Sequence, residues 1–190
     1  MNNYYNENAR AFFEGTVNAD MSGNYTEFLA AVPKNGHILD AGCGSGRDAK
    51  CFMELGYKVS AMDASEEMCR LASEYTGLEV RHVKFQDLED KVLYDGIWAS
   101  ATLLHVPSVE LIEVLKRLYE ALKENGIVYV SFKYGEFEGE RNGRYFHDLK
   151  EEKAQELFNK AGFKVKKQWI TGDVREGRQD ELWLNMVCEK

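Results

Sequence analysis

Short apolar runs alternate along most of the chain with longer stretches in which apolar residues recur every three or four positions. The first pattern is that of buried strands and the second that of amphipathic helices. Strands are predicted over 37–40, 57–62, 78–84, 96–100 and 127–133, with helices over 47–55, 65–75 and 108–123 between them. The best-marked helix is the last, where Leu111, Val114, Leu115, Leu118 and Leu122 share one face and Gly126 ends the run. In the helix 65–75 the apolar face is Met68, Leu71, Ala72 and Tyr75, and Glu66 and Glu67 suit the positive first turn. A helix over 151–160 then leads to two strands, 163–171 and 181–188, joined by a turn with Gly172 and Gly177 and no helix. Alternating strands and helices require right-handed crossovers, and a direct strand-to-strand turn requires an antiparallel pair. The expected fold is α/β: one doubly wound, Rossmann-like domain with a mostly parallel seven-stranded sheet whose last strand is antiparallel.

Two stretches fall outside that rhythm. Residues 1–36 carry helical patterns over 6–14 and 25–32, rich in Tyr and Phe, and are expected to pack as a helical lid on a body formed by residues 37–190, the two making one structural unit. Residues 134–148 are charged, contain three glycines, and read as a mobile, surface-exposed loop.

Composition narrows the function classes. The length of 190 residues suits one domain with a substantial core. A formal charge of −8 opposes nucleic acid as a partner, because a phosphate backbone recruits Lys and Arg in excess. Cys43, Cys51, Cys69 and Cys188 form neither a metal-ligand spacing nor a disulfide framework, so free thiols and no bound metal are expected. With no leader pattern and no apolar run of membrane-spanning length, the expected location is cytoplasmic, away from the membrane, as a monomer or homodimer.

The chemistry gathers where strands end, since open α/β sheets bind ligands beyond the carboxyl ends of their strands. Strand 37–40 ends at Asp40 and runs into Gly42, Cys43, Gly44, Ser45 and Gly46, a turn whose missing Cβ atoms let a ligand lie against the backbone. Asp63, which ends the second strand, follows Gly42 at the separation where a carboxylate reaches both hydroxyls of a ribose, and Ala64 follows it. Gln86 or Asp87 can then meet the edge of a base, while Met68 or Leu88 packs on its face. An adenosine-containing ligand follows. A dinucleotide fit is poorer, because Arg47 stands where a third glycine would be, and Asp40 and Asp48 place negative charge where pyrophosphate would sit. Those carboxylates suit a ligand with an amino group and a positive centre, and Arg47 can answer a carboxylate.

The segment Leu39-Asp40-Ala41-Gly42-Cys43-Gly44-Ser45-Gly46 resembles the first motif of the class I S-adenosylmethionine-dependent methyltransferases, and Asp63, Gln86-Asp87 and Tyr94-Asp95-Gly96-Ile97-Trp98 stand where that family's later motifs fall. Within the family, the Gly-Ser-Gly-Arg-Asp continuation and Leu103-Leu104-His105-Val106-Pro107 are most similar to small-molecule enzymes, including the tellurite-resistance-related branch. The resemblance implies S-adenosylmethionine as cofactor, with residues 42–46 against its methionine portion, Asp63 on the ribose, and Gln86, Asp87 and Leu88 around the adenine. It implies in-line methyl transfer to a small molecule. Two other classes stay open: a module that binds S-adenosylmethionine without catalysis, and an NAD-dependent oxidoreductase. A nucleic-acid methyltransferase is disfavoured, because Ser100-Ala101-Thr102-Leu103 replaces the segment that grips a flipped base.

His105, just beyond the fourth strand, is the candidate base or acceptor contact, or else a histidine that packs on the cofactor. The acceptor wall is expected from Tyr5 of the lid, from Lys133, Tyr134, Arg141, Arg144 and Tyr145, and from Arg175 and Arg178. Five of these are cations. They either converge on the mouth of the site and favour an anionic acceptor, or stand solvated on loops.

Overall fold

The computed structural model describes residues 4–175 and 177–190, so the first three residues of the expected lid lie outside the described residues. Three short helices lead in: α1 (Tyr4–Glu7), α2 (Ala9–Thr16) and α3 (Ser22–Leu29). The repeating unit follows as β1 (His37–Ala41), α4 (Arg47–Glu54), β2 (Lys58–Asp63), α5 (Glu66–Thr76), β3 (Arg81–His82), β4 (Tyr94–Ala99), α6 (Ser108–Ala121) and β5 (Leu122–Lys133). The chain closes with β6 (Glu138–Arg141), β7 (Arg144–His147), α7 (Glu151–Lys160), β8 (Lys164–Gly172) and β9 (Leu182–Glu189).

Seven strands form one sheet in the order β3-β2-β1-β4-β5-β9-β8. β9 runs antiparallel to both β5 and β8, and the pairs among β1 to β5 are parallel. The doubly wound sheet with an antiparallel last strand is thus present. The order reverses between β1 and β4, and that switch point is where a crevice opens.

Period-two alternation divides the core between the two faces. Ile97 and Ala99 of β4 face the α6 side with Leu111, Val114, Leu115 and Leu118. Trp98 between them faces the other side with Phe28, Phe52 and Tyr129. The four α6 side chains are 0–1% exposed; burying each contributes about 2 kcal/mol. Asp95 stands at the opposite end of β4 from the crevice, where it accepts from the His37 N–H and from Lys123, each at 2.8 Å, and ties three strands together.

Three expectations need correction. The stretch 134–148 is not a mobile loop: β6 and β7 form an antiparallel hairpin, and Phe146, His147 and Asp148 are buried. Its turn is Asn142-Gly143, with φ of 51° and 71°, the two left-handed residues that a tight hairpin turn requires. The third strand shrinks to Arg81–His82, because only those residues find partners on β2. The first helix breaks at Asn8, and the second begins earlier than its apolar pattern, at Ser22. Among the described residues, no helix is long and apolar enough to cross a membrane. All four cysteines are free thiols.

Candidate functional site

A cavity of about 650 Å³ lies at the carboxyl ends of β1, β2, β4 and β5 and is roofed by α1, α2 and the β6–β7 hairpin. The loop after β1 enters it under steric control. Gly42 has φ +78°, and a Cβ there would stand 2.1 Å from Thr102 Oγ1. Thr102 is driven into that position because Ala101, left-handed at φ 53°, has its N–H held by Ser131 Oγ at 2.8 Å. A left-handed alanine at a cavity wall is a strained conformation maintained by its surroundings.

At one end Gly42, Cys43, Gly44, Asp63, Ala64, Met68, Gln86 and Asp87 line the cavity. Asp63 is oriented by backbone: Oδ2 accepts from Gly44 N–H and Oδ1 from Ser65 N–H, both at 2.9 Å. Each oxygen keeps a further lone pair for a ligand hydroxyl. Burial raises its pKa above the ordinary carboxylate value, against the pull of those backbone donors. Gln86 donates to Glu110 at 2.7 Å, and its Oε1 is buried without a partner, an acceptor left open beside the cavity.

In the middle stand Ser100, Thr102 and His105. His105 Nδ1 lies 2.6 Å from the Tyr145 carbonyl, which only accepts, so Nδ1 carries the proton. Nε2 is therefore the acceptor, and it takes the Tyr5 hydroxyl proton at 2.8 Å. Burial lowers the His105 pKa to about 4, so the ring is neutral. Both ring nitrogens are occupied, and the Tyr5 oxygen, which accepts only a long 3.4 Å bond from Arg144, is the better acceptor on this wall.

Beyond lies a buried polar knot. Asp48 accepts from Arg47 Nε and Nη2 at 2.6 and 2.9 Å, from Trp98 Nε1 at 2.8 Å, and from the Tyr25 hydroxyl. Arg47 Nη1 donates to the Thr16 carbonyl at 3.2 Å. Its charge is thus already answered.

Several expected site residues stand elsewhere. Asp40 lies behind the loop, 1% exposed, where Oδ2 accepts from Ala49 N–H at 3.0 Å. Burial, with Asp48 nearby, pushes its carboxyl well above the usual range. Gly46 and Leu88 are off the cavity wall; Leu88 is buried in the α6-side core, and Gly46 packs on Ala72 and Thr76. Tyr134 also lies off the wall, packed against the core from outside. Arg141 is drawn away by Asp148 at 2.6 Å and by the Phe137 and Phe146 rings. In the lid, Phe12 lines the cavity, whereas Phe13 packs on Tyr75.

The expected cations do not form an open positive patch. Arg175 grips Asp173 through two bonds of 2.9 and 2.6 Å, and Arg178 grips Glu181 through two of 2.6 and 2.8 Å. Lys133 pairs with Glu181 and lies 3.8 Å from Asp173. Although burial works in the other direction, Arg175 holds Asp173 down at about 2, and Arg178 holds Glu181 at about 2. Arg144 is different: among the described residues no carboxylate forms an ion pair with it.

Sequence reasoning missed Asn24, Met21, Tyr129, Asn185 and Trp183 as wall residues. Asn24, Tyr129, Asn185 and Trp183 lie in regular strand and helix positions and Met21 just before α3, where nothing in the local pattern separates a cavity wall from a core. The Asn142-Gly143 hairpin signal, by contrast, was readable.

Residues 38–126 match the methyltransferase domain family. Over 122 residues the chain is 30% identical to an uncharacterized methyltransferase of Staphylococcus carnosus, covering 60% of this chain and 59% of that one. It is also 30% identical over 99 residues to a ubiquinone biosynthesis O-methyltransferase of Rickettsia prowazekii, covering 50% and 38%. The chain therefore spans less than two thirds of the length of these relatives. Among solved structures, the 1,6-didemethyltoxoflavin-N1-methyltransferase of Burkholderia thailandensis, crystallised with 1,6-didemethyltoxoflavin and S-adenosylhomocysteine, superposes with a TM-score of 0.78 at 22% identity, over 98% of this chain and 83% of that one.

Proposed function

We propose that this chain, a member of the class I S-adenosylmethionine-dependent methyltransferases through its residues 38–126, transfers the sulfonium methyl group of that cofactor to a small-molecule acceptor. The observation that carries the reading is the meeting of a Cβ-free loop with a backbone-oriented carboxylate: Gly42 and Gly44 beside Asp63. The residues fit the cofactor on their own chemistry. Asp63 keeps lone pairs for two ribose hydroxyls, and the open Gln86 Oε1, with Asp87 beside it, suits the exocyclic amine of adenine. Met68 lines the same end and offers an apolar face for the base.

The cofactor supplies an activated methyl group on a positive sulfur. The protein's part is alignment and exclusion of water. α1 and α2 act as a lid: Asn6 Oδ1 accepts from Ser65 Oγ at 2.6 Å and Glu67 N–H at 3.3 Å, while Tyr5 reaches His105 on the opposite wall. A roof so tied supports an acceptor small enough to be enclosed. His105 serves as a positioning residue that holds the Tyr5 hydroxyl, and Tyr5 turns its oxygen to the acceptor.

Isothermal titration with S-adenosylmethionine and S-adenosylhomocysteine tests the reading, followed by a methyl-transfer screen over phenol, amine, thiol and carboxylate acceptors. Micromolar binding of both with turnover of one acceptor class is expected. Absence of binding, or tighter binding of NAD, would overturn the cofactor. Binding with no turnover would favour a sensor module.

A further inference from the structure

We propose that Arg144 is the specificity residue of an acceptor subsite that takes a planar ring carrying one negative charge, a carboxylate or an ionised hydroxyl; this rests on the methyltransferase reading above. Of the five cations expected at the acceptor wall four are consumed, and Arg47, which also lines the cavity, is held by Asp48. Lys133, Arg175 and Arg178 share Asp173 and Glu181, and Arg141 is held by Asp148 off the wall. Arg144 lines the cavity and has no ion pair among the described residues. Lys84, also on the wall, is exposed beside Gln86 at the nucleoside end.

What surrounds Arg144 is aromatic. Its guanidinium carbon lies 4.7 Å from the centre of the Tyr4 ring, 5.9 Å from Tyr5 and 5.1 Å from Phe146. Aromatic faces tolerate a cation but do not neutralise it. Its hydrogen bond to Tyr5 Oη is long at 3.4 Å, and its Nε is buried without a partner. A half-buried guanidinium with an unfilled fork is the group that best matches a planar oxyanion, through two parallel N–H bonds. The ring walls beside it select a flat partner.

The hairpin register sets Glu140 and Arg144 on opposite faces. Glu140 lines the cavity too, but it pairs in register with Tyr145. Cross-strand partners share a face, so Glu140 stands with Tyr145, and Arg144 stands with Phe146 on the other face. The neutral His105 and the Tyr5 hydroxyl complete the wall without adding charge.

Benzoate and the isosteric, uncharged benzamide are the probes, titrated into the protein saturated with S-adenosylhomocysteine. Benzoate is expected to bind at least tenfold more tightly. Arg144→Gln should erase the preference while leaving affinity for S-adenosylhomocysteine within about twofold, which checks the fold of the variant. Arg144→Lys should restore part of it, since the charge returns without the fork. Equal binding of the two probes, no binding of benzoate, or a preference that survives Arg144→Gln would overturn the subsite. If S-adenosylhomocysteine binds and benzoate does not, only the subsite falls. If S-adenosylhomocysteine does not bind, the methyltransferase reading falls and takes the subsite with it.

Discussion

The hydroxyl of Tyr5 donates to His105 Nε2 across 2.8 Å, joining the first helix to the loop after β4 over 100 positions of chain. Because His105 Nδ1 is committed to the Tyr145 carbonyl, this bond fixes the neutral tautomer and leaves the Tyr5 oxygen as an acceptor, met by Arg144 at 3.4 Å.

The same burial makes stability depend on pH. The folded His105 pKa, about 4, lies below its unfolded value, so the unfolded chain binds the extra proton first. The stabilisation is fully present above about pH 6.5 and is lost as pH falls from there toward 4, amounting to at most about 3 kcal/mol. Urea unfolding at successive pH values should give a shallower slope in that window for His105→Gln than for the parent protein. Burial lowers the pKa of His37 and His147 as well, so the parent-minus-variant difference is the quantity that isolates His105.

Opening the lid should speed ligand escape. Asn6→Ala removes the acceptor of Ser65 Oγ and Glu67 N–H, next to Tyr5 in α1. A rise of about threefold to tenfold in the dissociation rate of S-adenosylhomocysteine is expected by stopped flow, the loss of about one net hydrogen bond. An unchanged rate would mean that α1 does not gate the cavity.

Loss of the Asp63 carboxylate should weaken cofactor binding. Asp63→Ala leaves two ribose hydroxyls and two backbone N–H groups without acceptors, costing about 1–3 kcal/mol of binding. Calorimetry with S-adenosylhomocysteine measures it, and Asp63→Asn should retain more affinity because one oxygen remains for the backbone.

Gly42 separates crowding from backbone strain. Gly42→Ala combines a φ of +78° with a Cβ 2.1 Å from Thr102 Oγ1, whereas Gly77 has the same φ and nothing within 4 Å. Gly77→Ala is expected to cost about 1–2 kcal/mol, the left-handed penalty alone. Gly42→Ala should cost more in the same urea titration and should also abolish S-adenosylhomocysteine binding.

Asp48 tests the buried knot. Asp48→Ala leaves Arg47 buried without its partner and orphans the donors of Trp98 and Tyr25. A loss of about 3–5 kcal/mol is expected, as when one member of a buried pair is removed. The double variant Arg47→Met with Asp48→Ala should recover part of it.

The sequence by itself determined whatever rests on neighbours along the chain. Period-two and period-3.6 patterns set the order of strands and helices along the chain, and right-handed crossovers then required a mostly parallel sheet, whose strand order the fold decided. The glycines after β1 and the carboxylate ending β2 marked the nucleoside end, because a turn that a ligand must approach restricts its residues locally. Only the tertiary structure decided which charges were free. Arg175, Arg178 and Lys133 looked like Arg144 in the sequence, yet Asp173 and Glu181 neutralise the first three. Asp40 looked like Asp63, yet one is sealed behind the loop and the other faces the cavity. Burial and ion pairing depend on partners brought together by the fold, such as Trp98 against Asp48 and Tyr5 against His105. No periodicity records those distances.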